Sequence, residues 1–277
     1  DHYEVSIYVA GQGQGTLQIK LDSEPISTMN VSPTGGWQNW EPLNINMYIS
    51  EGEHELSLHC LDEGFNLSKL VFSNMTPGMT LEHTAGWNMV GLPVNVSDAS
   101  QSFIFPGSVE GTLFSFGDTY VNENELIPGE GYWIDFPFAG YAALNGTELN
   151  SLTISLNSGW NIISGISVVT YVADFFDPDQ IVVPGSLYGF NGTYVNAMSL
   201  VPGKGYWINA FTSGNITISA GGNSGKIRTA FIDHTQEANV LHINDSKIYF
   251  GVSIPENELV YYQLPPTPPI GAFDVRF

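Results

Sequence analysis

Cysteine, cations and long apolar runs are all scarce in this 277-residue chain, and each scarcity closes off a class of protein. Cys60 is the one cysteine. No intramolecular disulfide and no cysteine-built zinc site can form. Cys60 lies in Leu56-Ser-Leu-His-Cys-Leu61 and reads as a small residue of a core or a strand face. Lys and Arg total seven against 28 Asp and Glu, a net charge of −21. Nothing is left to neutralise phosphates, so nucleic acid is excluded as a partner, and anionic membranes are disfavoured. An acidic, lysine-poor surface suits a salty or calcium-containing exterior. No apolar stretch reaches the roughly 18 residues that a membrane-spanning helix needs, so no membrane insertion is expected. The opening Asp1-His-Tyr-Glu-Val5 is no signal peptide and goes straight into a strand-like pattern, as a mature product or a piece of a longer protein would.

Helical periodicity is scarce too. One short patch, Val172-Ala-Asp-Phe-Phe176, carries it and is stopped by Pro178. Hydrophobic residues make up 43% and charged ones only 13%, which describes a folded chain with a neutral polar surface. Thirty glycines and 16 prolines, with abundant Asn, Ser and Thr, punctuate it into many turns and predict an all-β, multidomain fold. Asn-x-Ser/Thr triplets at Asn30, Asn66, Asn74, Asn95, Asn145, Asn191, Asn215 and Asn244 follow from that composition.

One hexapeptide occurs twice, as Pro128-Gly-Glu-Gly-Tyr-Trp133 and Pro202-Gly-Lys-Gly-Tyr-Trp207. Its flanks recur as well. Phe114-Ser-Phe-Gly-Asp-Thr-Tyr120 matches Tyr188-Gly-Phe-Asn-Gly-Thr-Tyr194, and Gly86-Trp-Asn88 matches Gly159-Trp-Asn161. Shared order at near-constant spacing is the mark of an internal duplication, and two copies suggest two packed units. Pro presets the first corner of a turn and the next Gly accepts a positive φ. Gly-Tyr-Trp-Ile then starts a strand with its rings on alternate faces. The hexapeptide is therefore read as a packing signature rather than a twin aromatic site.

Residues 1 to 75 alternate as strands at Tyr3–Val9, Thr16–Leu21, Ile45–Ile49, a run ending at Leu61, and Leu67–Phe72, with a hairpin at Gly11-Gln-Gly-Gln-Gly15. Gly35-Gly-Trp-Gln-Asn-Trp40, Glu51-Gly-Glu-His-Glu-Leu56 and Gly64-Phe-Asn-Leu67 resemble the second half of a family 6 carbohydrate-binding module. The resemblance implies a lectin-like, jelly-roll β-sandwich. It implies that Trp37 stacks on a sugar ring and that Asn66 hydrogen-bonds to it, with Trp40 beside them. A flat aromatic face suits the apolar face of a pyranose, and an amide suits its hydroxyls. The family's first half, with a second stacking aromatic and a calcium-binding acid, would precede Asp1.

Thr76-Pro-Gly-Met-Thr80 opens a linker over 76–82, and residues 83–150 and 151–220 are the duplicated units. They resemble a Gly-Trp-Asn … Pro-Gly-Lys-Gly-Tyr-Trp repeat of large secreted and surface proteins of Bacteroidetes-like bacteria, which implies an extracellular place and no catalysis. Residues 221–277 form a C-terminal β segment after the joint Gly221-Gly-Asn-Ser-Gly225. Strands are expected over Lys226–Ile232, Val240–Ile243, Lys247–Ile254 and Leu259–Leu264. Pro265–Pro269 should be extended, and Ala272–Phe277 alternates like a strand. This tail resembles the segment before the sorting domain of type IX-secreted proteins.

His54-Glu-Leu-Ser-Leu-His59 spaces its histidines five apart in an alternating run, and a zinc-protease helix needs four. Two acidic groups, Asp174/Asp177/Asp179 and Asp233/His234/Glu237/His242/Asp245, are of a kind that could hold calcium; solvated loop acids is the plainer reading. No nucleophile elbow, phosphate loop or nucleophile–base set occurs. The expectation is a non-enzymatic extracellular attachment or cell-surface protein that binds a polysaccharide through its first module. The alternatives are a filament subunit that donates a terminal strand to a neighbour, and an accessory region cut from a polysaccharide-degrading enzyme.

Overall fold

A computed structural model describes residues 2–75, 78–222, 233–243 and 246–276. The chain is nearly all antiparallel β-structure, with helix confined to short turns. It divides into two compact units, each discontinuous in sequence. The first is Asp1–Gly86 with Asp98–Glu110 and Phe136–Gly146; the second is Trp87–Ser97 with Gly111–Asp135 and Thr147–Phe277.

The first unit is a sandwich built from β1 (His2–Gly11), β2 (Gly15–Leu21), β3 (Glu24–Val31), β4 (Glu41–Tyr48), β5 (Leu56–Asp62) and β6 (Phe65–Met75). One sheet runs β4-β1-β6 and the other β3-β2-β5. The period-two pattern puts Val5, Ile7 and Val9 of β1 against Leu17 and Ile19 of β2, all fully buried. Residues 24–31, whose Pro25 and polar residues hide any alternation, form a strand that the sequence pattern does not announce. It folds back from β2 through Asp22 and Ser23, both at positive φ. The edge strands β5 and β6 keep Leu61, Leu67 and Phe72 exposed.

The expected linker over 76–82 is corrected. Thr76 and Pro77 lie outside the described residues, but β7 (Met79–His83) pairs with Gly140–Leu144, placing Leu81 opposite Ala142. A partner strand sixty residues away recruits it, which local composition does not reveal.

In the second unit the two repeats have the same topology. The strands Thr119–Asn122, Phe114–Gly117, Gly131–Phe136 and Gly86–Gly91 lie in that order in one sheet. Their counterparts Tyr194–Asn196, Tyr188–Phe190, Gly205–Ala210 and Gly159–Ser164 do so in another. Phe114 sits opposite Trp133, and Tyr188 opposite Trp207. Each hexapeptide begins with the expected turn. Glu130 N donates to Ile127 O and Lys204 N to Val201 O, both at 3.1 Å, with Gly129 and Gly203 at φ +91° and +78°. The copies grip each other reciprocally. Ser164 N donates to Gly129 O (2.9 Å) and Gly91 N to Gly203 O (3.1 Å). Phe190 meets Trp133 edge-on at 4.8 Å, and Phe116 meets Trp207 at 4.8 Å. Both tryptophans are wholly buried. The hexapeptide rings are thus core, as read from the sequence.

Further on, three expectations change. The patch at 172–176 is helical only over Val172–Asp174, as a 3-10 turn, because Phe176 returns to bridge Thr217. Leu259–Leu264 is not a strand: Pro255 starts a 3-10 helix over Glu256–Tyr262. Ala272–Arg276 is not a strand either. Ala272 N turns back to Pro269 O at 3.1 Å, and the Arg276 guanidinium bonds Asp274 and Pro265 O. Asn239–Ile243 and Ser246–Phe250 do pair as a hairpin, the second ending at Gly251 (φ +81°). The expected strand at Lys226–Ile232, with Asp245 and Phe277, lies outside the described residues. No helix among them is long and apolar enough to cross a membrane.

Candidate functional site

The loop between β3 and β4 carries Trp37. Gly35 turns the chain at φ +84°, and Asn39 N donates to Gly36 O (3.2 Å), closing a β-turn with Trp37 at its first corner. A side chain at that corner points away from the turn, and Trp37 is 44% exposed. Two bonds fix the loop. Thr34 N donates to Gly11 O (3.0 Å), while Gly11 N donates to Thr34 Oγ1 (3.0 Å). Asn39 Nδ2 adds a bond to Thr34 O (3.3 Å).

That clasp brings Asn66 into the same neighbourhood. Gly11 pairs with Phe65, and Ala10 with Asn66, at the end of β1 where Thr34 is held. Trp37's loop and Asn66 therefore flank one end of one strand. Asn66 is exposed, and its amide has no side-chain partner among the described residues. Trp40 is half-buried where the loop enters β4. The arrangement offers a solvent-facing indole and a free amide on a rigid edge, suited to a sugar's apolar face and its hydroxyls. Thr34, which locks the loop, was not singled out by sequence. Its one signal is its place before Gly35-Gly36, and its partner Gly11 is remote.

The other polar groups are structural. His54 lies in the loop before β5, not within a strand. Its Nδ1 bonds Asp22 Oδ2 at 2.6 Å and its Nε2 bonds Ser50 Oγ at 2.9 Å. Bonds from His54 and from the Glu55 backbone hold the Asp22 carboxyl below its usual value. Asp177 is buried and accepts from Ile181 N (2.9 Å) and Val182 N (3.1 Å). Asp233 caps the 3-10 turn over His234–Glu237 through Thr235 N, and His234 Nε2 bonds Glu258 at 2.9 Å. His242 sits on the hairpin strand Asn239–Ile243. Among the described residues no three His, Cys, Asp or Glu side chains are gathered as metal ligands. Cys60 is exposed on edge strand β5, not in the core.

Residues 1–74 match the model of the carbohydrate binding module (family 6). The match covers about a quarter of the chain and supports a carbohydrate-binding module there, a binding and not a catalytic family. No curated protein matches the chain.

Proposed function

We infer that the chain is a non-catalytic attachment protein of the cell exterior that holds a polysaccharide through Trp37 and Asn66. Trp37 supplies the stacking platform, Asn66 a donor and an acceptor for ring hydroxyls, and Trp40 the apolar footing of the loop. The observation that carries this reading is the exposed Trp37 ring, held by a clasped turn inside the residues that match a carbohydrate-binding family. A rigid turn lowers the entropy lost on binding. The large negative charge fits an uncharged glycan better than a sulfated or uronic one. The repeats and the C-terminal segment serve in this reading as a rigid spacer.

The test is a glycan array and affinity electrophoresis with wild type, Trp37→Ala and Asn66→Ala. Wild type is expected to retain at least one neutral polysaccharide, Trp37→Ala to lose it, and Asn66→Ala to weaken it about tenfold, the worth of one or two hydrogen bonds. Equal binding by wild type and Trp37→Ala removes Trp37 from the site. Binding by neither removes carbohydrate from the function.

A further inference from the structure

In the second unit the segment Pro265-Pro-Thr-Pro-Pro-Ile270 lies on an aromatic face that both repeats build. A polyproline II helix has three residues per turn and leaves all its carbonyls unbonded. The burial follows that period: Pro265 and Pro268 are buried, Thr267 and Ile270 exposed. The following Gly271 is exposed, and a Cβ there would stand 3.5 Å from Trp87 Nε1. The free carbonyls are read one by one. Tyr194 Oη donates to Pro266 O (2.7 Å), Tyr120 Oη to Thr267 O (2.8 Å) and Trp87 Nε1 to Ile270 O (3.1 Å). Tyr120 and Tyr194 occupy equivalent places in the two repeats, so the duplication sets two like donors against successive carbonyls. Tyr194 Oη also accepts from Trp207 Nε1 (3.2 Å), which polarises it as a donor. Burial pushes both phenols above the usual tyrosine value, so both stay protonated. Phe116 and Phe190 back these tyrosines edge-on at 5.3 and 5.7 Å.

Aromatic walls, prolines on one side of a three-residue period and ring donors to otherwise unbonded carbonyls are the chemistry by which proline-rich segments are recognised. We propose that the face formed by Trp87, Tyr120 and Tyr194 is a binding site for proline-rich segments in the polyproline II conformation, filled here by the chain's own residues 265–270. The site is independent of the sugar-binding reading of Trp37. Its own tail is the resident ligand, and the same segment offered in trans is bound once that tail is weakened.

The test uses the full chain. In a variant with Pro265→Ala, Pro268→Ala and Arg276→Ala, a fluorescent peptide of residues 263–276 is titrated by anisotropy. The variant is expected to bind it saturably, at least tenfold tighter than the same peptide with alanine for every proline, and at least tenfold tighter than the filled wild-type chain does. Adding Tyr120→Phe and Tyr194→Phe should weaken binding at least tenfold. A folded variant that binds neither peptide, or both equally, overturns the proposal. If that variant does not fold, hydrogen exchange on the otherwise wild-type chain with Tyr120→Phe and Tyr194→Phe decides. A rise of at least tenfold confined to residues 265–276 supports the site, and a rise spread evenly over the second unit, or none, overturns it.

Discussion

A Cβ on Gly131 would stand 2.5 Å from the carbonyl oxygen of Ile163, and its counterpart Gly205 faces Val90 O at 2.7 Å. These are the second glycines of the two hexapeptides, and the backbone each meets belongs to the other repeat. Both contacts are shorter than any carbon can tolerate, so the repeats can close on each other only where these positions lack a side chain. Gly131→Ala should therefore force the strands apart and lower stability by about 1–3 kcal/mol, in the range of an overpacked core. Gly205→Ala should cost a similar amount. Urea unfolding followed by tryptophan fluorescence measures both. An unchanged midpoint for either variant would show that the strands separate without penalty.

The hexapeptide also shows where sequence stops being informative. Its first glycine answers to a local rule: Pro-Gly at the corner of a turn needs a positive φ, and Gly129 and Gly203 have it. The second answers to a carbonyl more than thirty residues away in the first repeat and more than a hundred in the second, and no local rule finds that. The same division holds elsewhere. Strands β1 and β2 could be read because one face of each is buried and the alternation is clean. Glu24–Val31 could not, and Met79–His83 passed for linker, because each is made a strand by its partner. At the other end, Ala272–Arg276 alternates as a strand should, yet a salt bridge within the segment and a turn at Pro269 bend it away. Among site residues, the exposed ring of Trp37 was legible from its motif. The clasp by Thr34 was not, since Gly11 lies 23 residues earlier.

Asp177 illustrates a buried acid that serves the fold. Its two carboxylate oxygens accept from the successive amides of Ile181 and Val182. Asp177→Ala would leave both donors unsatisfied in a buried place and should cost about 2–4 kcal/mol. Asp177→Asn, which keeps one acceptor, should cost roughly half that. If instead Asp174, Asp177 and Asp179 together held calcium, millimolar calcium would raise the thermal midpoint of the wild-type chain, since a ligand bound only by the folded state stabilises it. The expected result is no calcium-dependent shift with a clear loss in Asp177→Ala, read by calorimetry with and without chelator.

Asp22 predicts the response to acid at the sandwich's β2–β3 turn. His54 and the Glu55 backbone amide both bond its carboxylate, so its folded value lies below the usual 3.8. A carboxyl held down in the folded state stabilises it above the unfolded value, and that contribution is lost as the pH falls through the folded value. Asp22→Asn keeps the size and tolerates the positive φ of this position, but it removes the charge. Wild type should exceed the variant by a small, constant margin at pH values well above 3.8, and the margin should close as the pH falls below it. The carboxyl is exposed to solvent, so added salt should narrow the neutral-pH margin as well. Thermal midpoints of the two chains across an acid series, at low and high salt, provide the measurement; a margin that persists into strong acid would show that Asp22 acts through the shape of the turn and not through its charge.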